Sequence, residues 1–210
     1  MTRNLRLTLA FVLALAACRD AAAPSGLTAR RERLPRPPET FTAAAHVLQQ
    51  SSTAPALENH VRSFWLYKGR EATIRVNYQP AGGQLVGQPF LRFNVPKQSL
   101  EAGGGGAPLK PGDSVLVTLT IDPLEFSVGF EPSGVQFSSQ FPAELAFWYA
   151  NANLDLTGDG VVDGADAAGM QQIALWYKGR SWSKLTSLND IQQRYVQGEL
   201  GHFSEYAVSW

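Results

Sequence analysis

From Ser63 onward the chain runs in short stretches where apolar and polar residues alternate. Ala72, Ile74, Val76 and Tyr78 are separated by Thr73, Arg75 and Asn77, and Leu91, Phe93 and Val95 by Arg92 and Asn94. A period of two sends the two sets of side chains to opposite faces, so each stretch predicts a half-buried strand. Lys110-Pro111-Gly112-Asp113 has Pro and Gly where a type II turn needs them, and it launches Val115, Val117, Leu119 and Ile121. Phe126, Val128 and Phe130 follow, then a second proline turn at Glu131-Pro132-Ser133-Gly134. Further strands are expected at residues 135–137, 145–149, 173–177, 195–200 and 206–210. About nine or ten strands at this spacing predict an all-β fold, an antiparallel β-sandwich over residues 59–210.

Two glycine-rich stretches interrupt the pattern, Gly82-Gly83 with Gly87, and Gly103 to Gly106. A phosphate-binding loop needs a following helix or a Lys-Ser/Thr pair, and neither stretch has one, so both read as hairpin loops. Trp65-Leu66-Tyr67-Lys68-Gly69-Arg70 echoes Leu175-Trp176-Tyr177-Lys178-Gly179-Arg180. Two copies so far apart are not a solenoid period, and each predicts a strand end followed by a Lys-Gly turn.

The N-terminal segment has a different pattern. Arg3 and Arg6 precede an apolar run from Leu7 to Ala17, which as a helix would rise only about 16 Å against about 30 Å of bilayer core. That length suits a signal peptide over residues 1–17 and excludes a span. The run ends Leu15-Ala16-Ala17-Cys18, which resembles the lipobox of bacterial lipoprotein precursors. The resemblance implies that Cys18, the chain's single cysteine, is acylated and becomes the new N-terminus. The alternative is an ordinary thiol beside a small-residue cleavage site. In that family an Asp directly after the Cys marks inner-membrane retention; here Arg19 holds the place, which favours the outer membrane or cell surface. Residues 18–58 hold five prolines, Pro24, Pro35, Pro37, Pro38 and Pro55, and the basic stretch Arg30-Arg31-Glu32-Arg33. They predict a flexible tether. Phe41 to Gln50 can form a short helix, although nothing in the pattern requires one.

Charge and cysteine usage narrow the function classes. The 210 residues carry 18 Lys+Arg and 18 Asp+Glu, and since Arg3 and Arg6 precede Cys18, the rest holds 16 basic against 18 acidic residues. A nucleic-acid-binding domain would be far more basic. One Cys and three scattered His exclude a disulfide scaffold and make a His/Cys zinc site a poor reading.

The half from Asp113 onward resembles the ZU-five β-sandwich of ankyrins, netrin receptors and tight-junction scaffolds. The matching pieces are Phe130-Glu131-Pro132-Ser133-Gly134-Val135, Phe141-Pro142-Ala143, Ala146-Phe147-Trp148-Tyr149, Ala174-Leu175-Trp176-Tyr177, Trp182 before Leu185, and His202-Phe203-Ser204-Glu205-Tyr206-Ala207-Val208. The resemblance implies an interaction or scaffold module without enzymatic activity, engaging a protein partner in the cell envelope.

Between the Trp148 and Trp176 strands, within residues 151–172, the chain inserts Asp155-Leu156-Thr157-Gly158-Asp159-Gly160-Val161-Val162-Asp163-Gly164-Ala165-Asp166. Counted from Asp155, the EF-hand ligand positions fall on Asp155, Thr157, Asp159, the carbonyl of Val161, Asp163 and Asp166, with Gly160 at the sharp turn. Calcium takes six or more hard oxygens, which is what this set offers. Asp at the last position resembles the loop of dockerins, which bind cohesins, but a dockerin needs two such loops and one is present. The expected cofactor is therefore a structural Ca²⁺, with Val162 as an apolar anchor under the loop and a short helix from about Gly164 to Gln172. The alternative is a solvated acidic turn, since Gly and Asp favour turns in any case.

His202-Phe203-Ser204 resembles the self-cleavage motif of some ZU-five-containing death-domain and inflammasome proteins. That likeness implies attack by Ser204 on the Phe203 carbonyl with His202 as base. The alternative is a His and a Ser bonded to backbone. No other enzyme motif is present. Trp65, Trp148, Trp176, Trp182 and Trp210 could form a glycan-stacking platform, and an exposed planar row of them would mark one.

Overall fold

The computed structural model describes residues 46–210. The signal segment, Cys18 and most of the tether lie outside the described residues. Among the described residues no helix is long and apolar enough to cross a membrane.

The described chain forms two packed antiparallel sheets and one short helix. In order, the elements are β1 (Val61–Tyr67), β2 (Ala72–Asn77), β3 (Pro89–Val95), β4 (Leu100–Ala102), β5 (Ser114–Ile121), β6 (Ser127–Glu131), β7 (Gln136–Phe137), β8 (Ala143–Trp148), α1 (Gly164–Met170), β9 (Ala174–Lys178), β10 (Trp182–Lys184), β11 (Ser187–Asp190), β12 (Tyr195–Leu200) and β13 (Glu205–Ser209). One sheet has the order β1-β5-β6-β13-β9-β10 and the other β11-β12-β8-β3-β2, while β4 and β7 pair separately. The all-β sandwich expected from the alternation is therefore present. The strands beyond those anticipated are short, and β4 and β10 have only three residues each, too few for a period of two to register.

The alternation sets which residues face inward. In β5, Val117, Leu119 and Ile121 are buried, while Thr118 and Thr120 alternate with them toward the outer face. Gly112 takes φ +95° and Asp113 N–H donates to Lys110 C=O at 3.0 Å, the geometry of a type II turn. The second proline turn carries a cis Glu131–Pro132 peptide.

Aromatic side chains fill the space between the sheets. Phe130 and Phe203 stack with ring centroids 4.7 Å apart and planes 5° from parallel. Phe93 from the opposite sheet lies 4.8 Å from Phe130, and Phe137 meets Phe203 edge-on at 5.1 Å. Burying each ring stabilises the fold by roughly 1.5–3 kcal/mol, so this cluster is a main link between the sheets.

The sandwich also takes in residues before 59. Residues 46–50 pair through isolated bridges, Val47 with Ser209 and Gln49 with Glu125, and form no helical turn. Leu48 is fully buried, and its N–H donates to Val208 C=O at 2.8 Å. Leu57 is likewise buried and bridges Tyr78. Residues 46–58, assigned from their composition to the tether, thus lie against the domain, because two leucines in a polar stretch suffice to anchor it.

Candidate metal centre

The insertion between β8 and β9 is built around two carboxylates. Asp155 sits at the centre of the first turn, where its Oδ1 accepts from the N–H of Gly158 at 2.8 Å and of Asp159 at 3.1 Å. Its Oδ2 accepts from Gly160 N–H at 2.8 Å. Gly158 and Gly160 take φ +77° and +87°, left-handed values that let successive amides turn inward at little cost. Thr157 Oγ1 lies 3.5 Å from Asp155 Oδ1. Asp159 Oδ1 accepts from Val161 N–H at 2.9 Å.

Asp166 closes the other end. It is fully buried, its Oδ1 accepting from Leu156 N–H at 2.7 Å and Thr157 N–H at 3.0 Å. Its Oδ2 accepts from Asp163 N–H at 2.8 Å. Asp163 in turn caps α1 by accepting from Ala165 N–H at 2.8 Å, so the two form a capping box. The backbone donor at Asp163, with those at Thr157 and Leu156, holds the Asp166 carboxyl below its usual range against the opposing effect of burial.

The loop therefore places the expected residues on one frame without converging their carboxylates. Among the described residues no group of three His, Cys, Asp or Glu side chains is positioned to hold a metal ion. Asp155 accepts from the amides of residues 158–160 and Asp166 from those at both ends of the loop, while Asp159 and Asp163 make separate local turns. The donors are all hard oxygens of the kind calcium takes, but among the described residues the four Asp side chains bond the loop's own N–H groups and Thr157. The spacing could not show this competition, since short carboxylates bond nearby amides as readily as cations.

The anchor under the loop is also not the expected one. Val162 is 59 % exposed. Leu156 packs inward instead: a Cβ on Gly169 would fall 2.9 Å from Leu156 Cδ1 and 3.4 Å from Trp210 Cδ1. Asn189 ties the helix end to the sheets, donating to Met170 C=O at 2.8 Å and accepting from Tyr149 O–H at 2.7 Å. Burial pushes the Tyr149 hydroxyl up to about 12, so it remains a donor at neutral pH.

At the other candidate site, the side chains of His202 and Ser204 are not joined. Ser204 Oγ donates to Lys178 C=O at 2.5 Å, while His202 Nδ1 lies 3.2 Å from the Phe203 carbonyl oxygen. That oxygen also accepts from Gly134 N–H at 3.1 Å, and Phe203 is buried. Residues 202–204 show no left-handed backbone strain. The five tryptophans do not form a row either. Trp65 is 52 % exposed on edge strand β1 and Trp182 lies at the far edge on β10, about 24 Å away across five strand spacings. Trp148 belongs to the other sheet, Trp176 is buried, and Trp210 stacks on His46.

The class that the fold defines is a mostly-β, two-sheet antiparallel sandwich. No protein family, curated protein or solved structure matches the chain.

Proposed function

We propose that this protein is a lipid-anchored extracytoplasmic display module: a ZU-five-like sandwich, tethered through Cys18, that carries a calcium loop and engages a protein partner in the cell envelope. The observation that supports the metal is the frame of residues 155–166. Left-handed Gly158 and Gly160 shape the loop, Asp166 pins both of its ends, and the surrounding donors are hard oxygens. Calcium would be held by Asp155, Thr157, Asp159, Val161, Asp163 and Asp166. Binding requires the exposed Asp159 and Asp163 side chains to leave their local amides, which places the expected affinity in the weak range of extracellular modules, a Kd of about 10⁻⁴–10⁻³ M.

Calorimetric titration of calcium into the full chain tests this reading, with Asp159→Ala as the control. Saturable heat lost in the variant supports it, and an absence of heat in the wild type removes calcium from the account. The self-cleaving alternative draws no support from the Ser204 hydroxyl, which is bonded to Lys178 C=O. A denatured mass that retains Ser204 to Trp210 is expected; loss of those seven residues would put self-cleavage first. Glycan binding, and docking to a cohesin through one loop, have no separate observation in their favour.

A further inference from the structure

The outer face of the five-stranded sheet carries an arginine pair that its neighbours do not neutralise. Arg75 on β2 and Arg92 on β3 are direct cross-strand partners. Like charges placed opposite each other destabilise an antiparallel pair. A third guanidinium stands close by, since Arg62 Nη1 donates to Arg75 C=O at 2.7 Å. Among the described residues the one ion pair is Lys178–Glu205, on the other sheet. The nearest carboxylate by register is Glu144 on β8, two pairs along from Arg92 and opposite Asn94, and it makes no ion pair among the described residues. Glu58, whose N–H donates to Asn77 C=O, makes none either.

Arg75 and Arg92 line a cavity of about 340 Å³ together with Asn77, Val86, Pro89 and Trp148. It opens where the β2–β3 register shifts, between Val76 and Asn77, and a bulge of this kind re-aims side chains. The floor is fixed. Arg92 lies 5.7 Å from the Trp148 ring centroid and donates through Nη2 to Tyr195 O–H at 3.1 Å and Gln197 Oε1 at 3.0 Å. Its Nε is buried with no hydrogen-bond partner among the described residues. A buried donor left unpaired is costly, and the exposed Arg75 guanidinium has no bonded partner among the described residues. One wall is backbone: a Cβ on Gly87 would fall 1.6 Å from Tyr78 O, so only glycine lets the 78–88 loop lie this close.

A cationic pair, an indole and apolar walls in a cavity of this size suit a ligand with an anionic head and a flat apolar body. We propose that this pocket binds a small organic carboxylate, its carboxylate held by Arg75 and Arg92 and its ring lying against Trp148 and Pro89. The ligand supplies the counter-charge that the sheet lacks, so the free pocket is held at a cost to stability. Removing one arginine should then raise stability while abolishing binding, a pairing that a purely structural arginine would not show.

The test is calorimetry on the full chain with benzoate as the probe, benzamide as its neutral counterpart, and Arg75→Gln as the variant. Arg75 is exposed, so the substitution leaves the core untouched. The expected result is benzoate binding with a Kd of about 1 mM or tighter, weakened at least about tenfold by Arg75→Gln and by the change to benzamide. The unliganded variant should melt about 1–3 °C higher than wild type. No benzoate binding at about 10 mM, equal binding of benzamide, or unchanged binding by Arg75→Gln overturns the proposal. N-acetylaspartate amide binding as tightly as benzoate overturns the small-acid assignment in favour of a peptide side chain.

Discussion

The two charged regions of this domain are built in opposite ways. The acidic loop is local: its four Asp fall within twelve residues, and among the described residues they bond amides and a hydroxyl of the same segment. The basic pocket is assembled by the sheet, which brings Arg75, Arg92 and Trp148 together from three strands. Charge close in sequence can be satisfied by its own backbone, because a short carboxylate reaches amides a few residues away and, where the loop folds back as at Asp166, amides nine and ten residues before it. Charge brought together by register has less recourse, because guanidinium groups are donors only and the carbonyls of a central strand such as β3 face paired neighbours on both sides. An acidic run therefore says little about a free site until its amides are counted, whereas an unpaired cross-strand arginine pair is informative at once.

The sharpest way to break this contrast is to remove what the loop packs on. Leu156→Ala should destabilise the domain by about 1–3 kcal/mol, since the side chain fills the space beside Gly169 and Trp210; a urea melt measures it, and a neutral result would mean that the loop floats free. Asp166→Asn follows. It should speed amide exchange at Leu156, Thr157 and Asp163 by roughly tenfold or more, each losing a charge-assisted acceptor. The same residue sets an acid limit. Its folded carboxyl lies below the ordinary value of 3.8, so its contribution is present above pH 3.8, fades as pH falls through the lower folded value, and is absent in the asparagine variant. Stability followed between pH 5 and pH 2 should therefore fall less steeply in Asp166→Asn than in wild type.

Smaller effects sharpen the other side of the comparison. Arg75→Gln should raise the unliganded melting temperature, whereas a neutral substitution at any of the four loop Asp should not, since each of those carboxylates has a backbone donor. Val162→Ser should change stability by no more than about 0.5 kcal/mol, as for other exposed positions. A larger loss would restore Val162 as the loop's anchor.

Much of the fold was legible because half-buried strands write their faces into the sequence. Val117, Leu119 and Ile121 alternate with Thr118 and Thr120 in the order that the structure buries and exposes them, and Lys110-Pro111-Gly112-Asp113 makes the turn its residues demand. Strands β4 and β10 were not legible, being too short to alternate. Nor was the packing of Leu48 against Val208, since one leucine in a polar stretch carries no period. The loop's frame was legible in part. Asp-Gly spacing announced the turn and the helix from Gly164, but the choice of Leu156 over Val162 as anchor depends on which face of the loop meets Gly169 and Trp210, a tertiary matter. The arginine pair was invisible, because which residue lies opposite Arg92 is set by register across a loop of eleven residues, 78–88.

The central claim is that residues 155–166 close around calcium, and a thermal melt of the full chain in calcium and in chelator tests it most directly. With calcium roughly a hundredfold above its Kd, the melting temperature should rise by about 5–10 °C, and Asp159→Ala should abolish the rise. Identical melts in chelator and in calcium at that same hundredfold excess would contradict it, leaving the loop as a turn held by its own amides.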